Sequence, residues 1–351
     1  MPTLIPYHLT FPQGVRVGEK GMALEESAVA IPADTLFSAL IDCGARTGID
    51  PTAFLQPFVN GVPPFLLTSA FPRAGRLRFF PMPVDPASLF AQPPDAAQFK
   101  SLKRVRYLSE GLFRRALGGA MLDDLWQGGA LGHPSGAPFL QNGALWLLDE
   151  ERALLPEGMR NLGDGRPRPN AALRELSVWE QQSLPHVTVD RVQSASNIYF
   201  IKRTHFADGC GLWFGVQWLE PRAQFGSPPR RFDESLHRLI HVLGDEGVGG
   251  KRSSGNGRFL AEDPPEAVEL PDAIAGEPAL LLSRVSPRAD ELPALLADPA
   301  CAYQIASVAG WMGGMGGPAL RRKRVNLLVA GSRVSPPALP VGRLVDVTPA
   351  A

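Results

Sequence analysis

Sixteen residues, GDEGVGGKRSSGNGRF from Gly244 to Phe259, contain six glycines and cannot extend either of the regular elements beside them. Upstream, RRFDESLHRLIHVLGDEG sets Leu236, Leu239, Ile240 and Leu243 at i, i+3, i+4 and i+7, which predicts an amphipathic helix with Asp233 as its cap. Downstream, RFLA predicts a strand. The chain must therefore leave a helix, pass through a long glycine loop and enter a strand. Dinucleotide loops run the other way, from a strand into a helix whose N-terminal dipole holds phosphate. Spacing excludes them too: Gly250-Lys251 is followed by Arg252 rather than Ser or Thr, and Asp245 stands where a Walker loop needs its first glycine. Gly247 and Gly249 meet Arg252 where GxGxxG needs its last glycine. What remains is a backbone able to approach a ligand closely and offer amides to phosphate oxygens, with Lys251, Arg252 and Arg258 supplying charge. That chemistry fits a sugar-phosphate backbone; a solvated loop behind a glycine C-cap is the alternative.

The same strand-and-helix plan is legible twice. TLIPYHLTF alternates as a first strand, GVRVG reads as a tight turn, and IPADTLFSALIDCGARTG predicts a helix capped by Asp34 and stopped at Gly48. PFLLTSAFPRAGRLRFFPMPV then predicts two strands about an Arg-Ala-Gly-Arg turn, so that strand, helix and hairpin match the opening of a ferredoxin-like unit. From His186, HVTVDRVQ, NIYFIKRTHF and GLWFGVQWLE are strand-like, the last two expected to pair as a hairpin across Ala-Asp-Gly-Cys. After the glycine loop, ALLLSRV and RVNLLVAG add strands. Between the two sets, about 84 to 184, breakers such as QPPD and GDGRPRPN predict an irregular Pro/Gly-rich insertion. A chain of 351 residues suits two compact domains, expected at 1–184, including that insertion, and 185–351, with the loop at 244–259.

Thirty-five basic and thirty-five acidic residues cancel, so a polyanion site has to be local. KSLKRVRYLS places Lys100, Lys103, Arg104 and Arg106 beside Tyr107, cations next to a ring that can stack on a base. In VDRVQSASNIYF, Arg191 and Asn197 are polar heads near a strand end, with Tyr199 or Phe200 available for stacking and the other ring directed to the core. Arg321, Arg322, Lys323 and Arg324 fit RNA or a protein partner equally. Three scattered cysteines give neither a disulfide framework nor a metal knuckle. His237 and His241 have the i, i+4 spacing of zinc ligands, but Arg238 stands where a zincin has glutamate, so no metal or other cofactor is expected. His8, His133, His186 and His205 could each act as a general base, though none carries a local catalytic signature. With no signal-peptide pattern and no stretch near the ~18–20 apolar residues that span a bilayer, a soluble cytoplasmic protein is expected.

IPADTLFSALID, VTVDRVQSASNIYF, GDEGVGGKRSSGNGRF and GGPALRRKRVNLLVAGS occur in an order that resembles the fourth subunit of the type III-A (Csm) CRISPR effector complex, a Cas-five-like RAMP protein. The resemblance spans nearly the whole chain and is weakest at about 84–95 and 120–175. It implies an α+β protein of two ferredoxin-like, RRM-related domains, without nuclease activity, at one end of an antiviral ribonucleoprotein. There it would hold the repeat-derived 5′ handle of the crRNA and dock against the large polymerase-like subunit and a backbone RAMP subunit. Carried over motif by motif, the RNA-binding set is Lys100, Lys103, Arg104, Arg191, Asn197, Gly247, Gly249, Gly250, Lys251, Arg252, Ser253, Ser254, Gly255 and Gly257. Asp34 is assigned to the helix cap rather than to RNA. A metal-independent guide-processing endoribonuclease of the same superfamily is the alternative, but those carry the glycine loop close to the C-terminus.

Overall fold

The computed structural model describes residues 3–18, 27–92, 94–126, 138–190, 195–262, 266–312 and 320–348. Its centre is a ten-stranded sheet in the order 260–262, 3–10, 210–218, 71–74, 77–81, 107–109, 145–146 and 139–140, with 268–269 added to the first strand and 65–67 to Cys210–Trp218. The expected division near residue 184 is not a division of this sheet: Thr3–Thr10 pairs antiparallel with Cys210–Trp218, in register Leu4 to Gln217 through Leu9 to Leu212. The mixed helix-and-sheet composition is that of the expected α+β class.

Alternation along the first strand decides what each sheet face carries. Tyr7 turns toward the helix Phe232–Glu246, its ring 6.2 Å from that of His237, so His8 turns to the opposite face. On the helical face the helix Ala33–Arg46 packs beside Phe232–Glu246. Leu36, Leu40, Leu236, Leu239, Ile240 and Leu243 are all buried, and burying one such side chain contributes about 1.5–3 kcal/mol. Phe54, Phe58, Phe65, Phe225 and Phe232 close the end of this layer as one cluster, with Phe54 and Phe232 centroids 4.9 Å apart.

Both sequence-assigned caps are displaced by two residues. Pro32 and Arg231 hold the N-cap positions, while Asp34 and Asp233 lie inside the first turns, where a carboxylate still favours the helix dipole. True side-chain caps occur at Asp50, Asp95 and Ser109. Gly48 does follow the first helix, with φ +84°.

NIYFIKRTHF pairs differently from expectation. Ala195–Phe206 joins Trp179–Asp190 as a two-stranded ribbon of twelve residues a side, while Cys210–Trp218 enters the central sheet. A turn at Ala207 and Gly209 links two sheets rather than two partners, because the apolar Leu212, Trp213, Phe214 and Val216 are wholly buried between layers. The stretch from about 84 to 184 also supplies elements of its own. The helix Glu110–Leu117 and the strands Tyr107–Ser109 and Leu145–Trp146 bury Leu108, Leu112, Phe113, Leu145 and Trp146. Strands of two or three residues are too short to show a period in sequence. A smaller core of Leu281, Val285, Leu295, Leu328 and Val334 lies under the pairs 279–280 with 333–334 and 305–308 with 325–328. No helix among the described residues is long and apolar enough to cross a membrane.

Candidate nucleic-acid interface

The glycine-rich loop is a tightly folded strap. Gly247 ends the helix with φ +84° and donates to Leu243 O at 2.7 Å. Val248 N donates to Gly257 O, and Gly257 N donates to Gly14 O, both at 2.9 Å. Gly250 N reaches Arg16 O at 2.8 Å, and Phe259 N returns to Gly244 O at 3.0 Å. Gly244, where a Cβ would lie 2.5 Å from Phe259 O, and two glycines at positive φ are obligatory for close approach. A Cβ on Gly249 would lie 2.4 Å from Arg16 O, and one on Gly257 would lie 1.9 Å from Val248 O, each at positive φ.

These contacts refine what the glycines do. The amides of Gly247, Gly250, Gly255 and Gly257 are engaged within the chain, so their hydrogen bonds hold the loop's shape. The groups presented outward are at its tip. Lys251 is held at φ +60°, a single 3₁₀ turn covers Arg252–Ser254, and Gly255 follows at φ +78°. Lys251, Arg252, Ser254 and Arg258 are exposed, whereas Asn256 is buried and donates to Lys251 O at 3.4 Å. The side chain of Ser253 lies outside the described residues.

The first helix places acidic groups beside this tip. Arg46 Nη2 bridges Asp42 at 2.8 Å and Glu246 at 2.5 Å, tying the ends of the two helices together. Asp42 Oδ2 is also 4.0 Å from Arg252 Nη1. Neither Arg16, whose carbonyl seats the loop, nor the Asp42–Arg46–Glu246 group was singled out from sequence. GVRVG carries only a turn signal, and an i, i+4 ion pair is commonplace on any exposed helix.

Gly14 to Val17 supports the twelve-residue ribbon as well. Val15 and Thr204 exchange backbone hydrogen bonds at 2.9 and 2.8 Å. Thr204 is fully buried, its Oγ1 donating to Ala28 O at 3.2 Å and accepting from Gln181 Nε2 at 3.0 Å. Loop and ribbon thus share one platform. Asn197 is seven residues out along the strand from Thr204, about 23 Å at ~3.3 Å per residue, so it is not in contact with the loop. Arg191 lies outside the described residues, as do the side chains of Asn197 and Tyr199. On the outer ribbon, Val187, Ile198 and Phe200 are at least half exposed, so Phe200 is a surface ring.

The basic segment is elsewhere. Lys100 lies in the last turn of the helix Ala96–Leu102, Lys103 holds its C-cap position with its Nζ 4.9 Å from the Phe99 ring, and Lys100, Lys103 and Arg104 are exposed. They lead into Tyr107–Ser109, four strands across the sheet from Thr3–Thr10, about 19 Å at ~4.8 Å per strand. Tyr107 is not a stacking platform for a ligand: it is 6 % exposed and packs against Phe71 and Trp179.

Catalytic chemistry finds little support among the histidines. Burial, then the charges of Arg73, Arg78 and Arg76, push His8 down to about 3, too low for an effective general base near neutrality. His133 and the side chain of His186 lie outside the described residues. His237 and His241 meet edge to face with centroids 4.7 Å apart on the helix Phe232–Glu246, and among the described residues no group of three or more His, Cys, Asp or Glu could hold a metal. Burial pushes the thiols of Cys43 and Cys210 up to about 11 and about 12, so neither is a thiolate nucleophile.

No protein-family model matches the chain. A curated relative, the CRISPR system Cms protein Csm4 of Thermococcus onnurineus (strain NA1), is 27 % identical over 169 residues, 48 % of this chain and 49 % of that protein. The alignment therefore spans about half the length of each. A chain of the Csm3–Csm4 subcomplex in the type III-A CRISPR-Cas interference complex shares the fold, with TM-score 0.63 and 16 % identity over 97 % of this chain and 95 % of that one. A chain of the Csm1–Csm4 cassette in complex with cA4 gives TM-score 0.50 at 17 % identity, covering 95 % and 87 %. The protein resembles the fourth subunit of the type III-A Csm complex in sequence and fold.

Proposed function

We propose that this chain is a non-catalytic, cytoplasmic subunit of a type III-A CRISPR effector complex that anchors the 5′ handle of the crRNA. It would dock to the large polymerase-like subunit and to a backbone RAMP subunit. The observation that carries this reading is the loop tip: Lys251, Arg252 and Arg258 are exposed on a strap that Gly14–Val17 holds rigidly beside the base of the ribbon. Preorganised cations of this kind bind phosphates without ordering a loop at the moment of contact. Gly247, Gly249, Gly250, Gly255 and Gly257 then act by shaping the tip, and Ser253 and Ser254 by lying on it. Lys100, Lys103 and Arg104 form a second basic stretch for an RNA strand that crosses the sheet, with Asn197 toward the ribbon's far end and Arg191 assigned to the RNA on its sequence motif alone. Selectivity would come from splayed bases and 2′-hydroxyl contacts, for which Phe200 is a candidate platform.

The test measures binding of labelled guide RNAs, with and without the handle, to the wild-type chain and to a Lys251→Ala/Arg252→Ala variant. Tighter binding of the handle-bearing RNA, weakened in the variant, supports the reading. Equal affinity in all four pairings overturns it.

A further inference from the structure

On the sheet face opposite the helix that carries the glycine loop, a cavity of about 330 Å³ is lined by His8, Arg76, Arg78, Glu110, Arg114, Glu151 and Glu266. Its hydrogen-bonding capacity is lopsided. Both oxygens of Glu110 are committed, to Arg78 Nε at 2.7 Å and Arg114 Nη2 at 2.6 Å. Both oxygens of Glu151 are also committed, accepting from the amides of Gly111 at 2.7 Å and Leu148 at 2.9 Å. Donors are in surplus by contrast, because each guanidinium offers five N–H groups. Arg78 spends two nitrogens, on Glu110 and Glu266 O, and Arg76 has no side-chain partner among the described residues. The His8 side chain is 5 % exposed, its Nδ1 is 3.8 Å from Glu262, and its Nε2 is buried with no hydrogen-bond partner. A buried nitrogen left unpaired beside underused guanidinium donors marks a place for an acceptor-rich ligand.

We propose that this cavity binds a small phosphate dianion, either inorganic phosphate or the terminal phosphate of a mononucleotide. Phosphate suits it because the planar forks of Arg76, Arg78 and Arg114 can each present paired donors to tetrahedral oxygens. His8 Nε2 then acts as the neutral donor at the inner wall. The site is independent of the RNA reading above, since Tyr7 and His8 send their side chains to opposite sheet faces.

The full-length chain, with histidine side chains labelled in ¹⁵N, is titrated with inorganic phosphate, AMP, chloride at matched ionic strength, and an RNA oligonucleotide lacking terminal phosphates. His8→Asn assigns the resonance, and Arg76→Ala, at an exposed position, leaves the fold intact. The expected result is a saturable shift of His8 Nε2 with phosphate or AMP, weakened by about tenfold or more in Arg76→Ala, the loss of one charge-assisted contact. AMP binding more tightly than phosphate identifies the nucleotide as the source, and equal binding identifies the free anion. No saturable shift with either overturns the proposal, as does a shift that chloride or the phosphate-free RNA end reproduces, or one that Arg76→Ala leaves unchanged.

Discussion

The amide of Gly250 and the carbonyl oxygen of Arg16 lie 2.8 Å apart, and the Cα of Gly249 is pressed so close to that oxygen that no side chain fits between them. This pair seats the glycine loop on the chain leaving the first strand. Gly249→Ala would place its Cβ 2.4 Å from Arg16 O at φ +87°, so the backbone must shift. The expected loss is about 1–3 kcal/mol in urea unfolding, with a matching loss of RNA affinity. Gly61→Ala, at φ +76° with open space around it, controls for the torsional cost alone and should lose less.

Salt dependence separates phosphate contacts from base contacts. If Lys251 and Arg252 each neutralise one phosphate, the slope of log K against log salt becomes shallower by roughly 1.4 in the Lys251→Ala/Arg252→Ala variant, at about 0.7 per single-stranded phosphate. Fluorescence anisotropy between low and physiological salt measures it. An unchanged slope would place both side chains off the RNA.

Asp42 lies 4.0 Å from Arg252, and on the proposed function it would compete with RNA for that guanidinium. Asp42→Asn removes that attraction and leaves Arg46 paired with Glu246. Because the ion pair is exposed, its release should raise RNA affinity by no more than about fivefold, corresponding to 0.2–1 kcal/mol. Weaker RNA binding in this variant would contradict the competition.

The buried imidazole of His8 makes stability depend on pH in a defined direction. Its folded pKa is lowered to about 3 by burial first, then by Arg73, Arg78 and Arg76, while an unfolded histidine titrates near 6.5. Between those values the unfolded chain takes up the proton and the folded chain does not, so stability is fully present above about 6.5 and falls as pH drops toward 3. The contribution is on the order of a few kcal/mol. His8→Asn should therefore flatten the decline of the unfolding free energy between pH 6.5 and pH 4, read from denaturation midpoints at several pH values.

Long periodic segments were legible because one period fixes one buried face. Ala33–Arg46, Phe232–Glu246 and Thr3–Thr10 all fall where sequence predicts them. Partner choice was not legible. NIYFIKRTHF and GLWFGVQWLE both read as strands joined by a tight turn, yet they belong to different sheets, because pairing depends on which apolar face is covered from a distance. The glycine loop was visible as a loop, and the structure leaves its cations Lys251, Arg252 and Arg258 exposed. Its internal hydrogen bonding was hidden, since the acceptors, Gly14 and Arg16, are more than two hundred residues away. Tyr107 reads as a stacking ring only while its neighbours are counted as charges; Leu108 and Phe80, both fully buried, show that the strand it heads is interior.

The pairing of Thr3–Thr10 with Cys210–Trp218 on one side and Leu260–Glu262 on the other has a temporal side. During synthesis the first strand leaves the ribosome some two hundred residues ahead of its first partner and still farther ahead of its second. At about 5–20 residues per second, that leaves it unpaired for roughly ten seconds or longer. Closure of the central sheet is thus a late event, and until then Leu4, Tyr7 and Leu9 form a sticky, apolar edge. Removing that wait, by a circular permutation that moves residues 3–18 to the end of the chain, behind both partner strands, should raise the yield of folded chain while keeping the pairing of the native sheet.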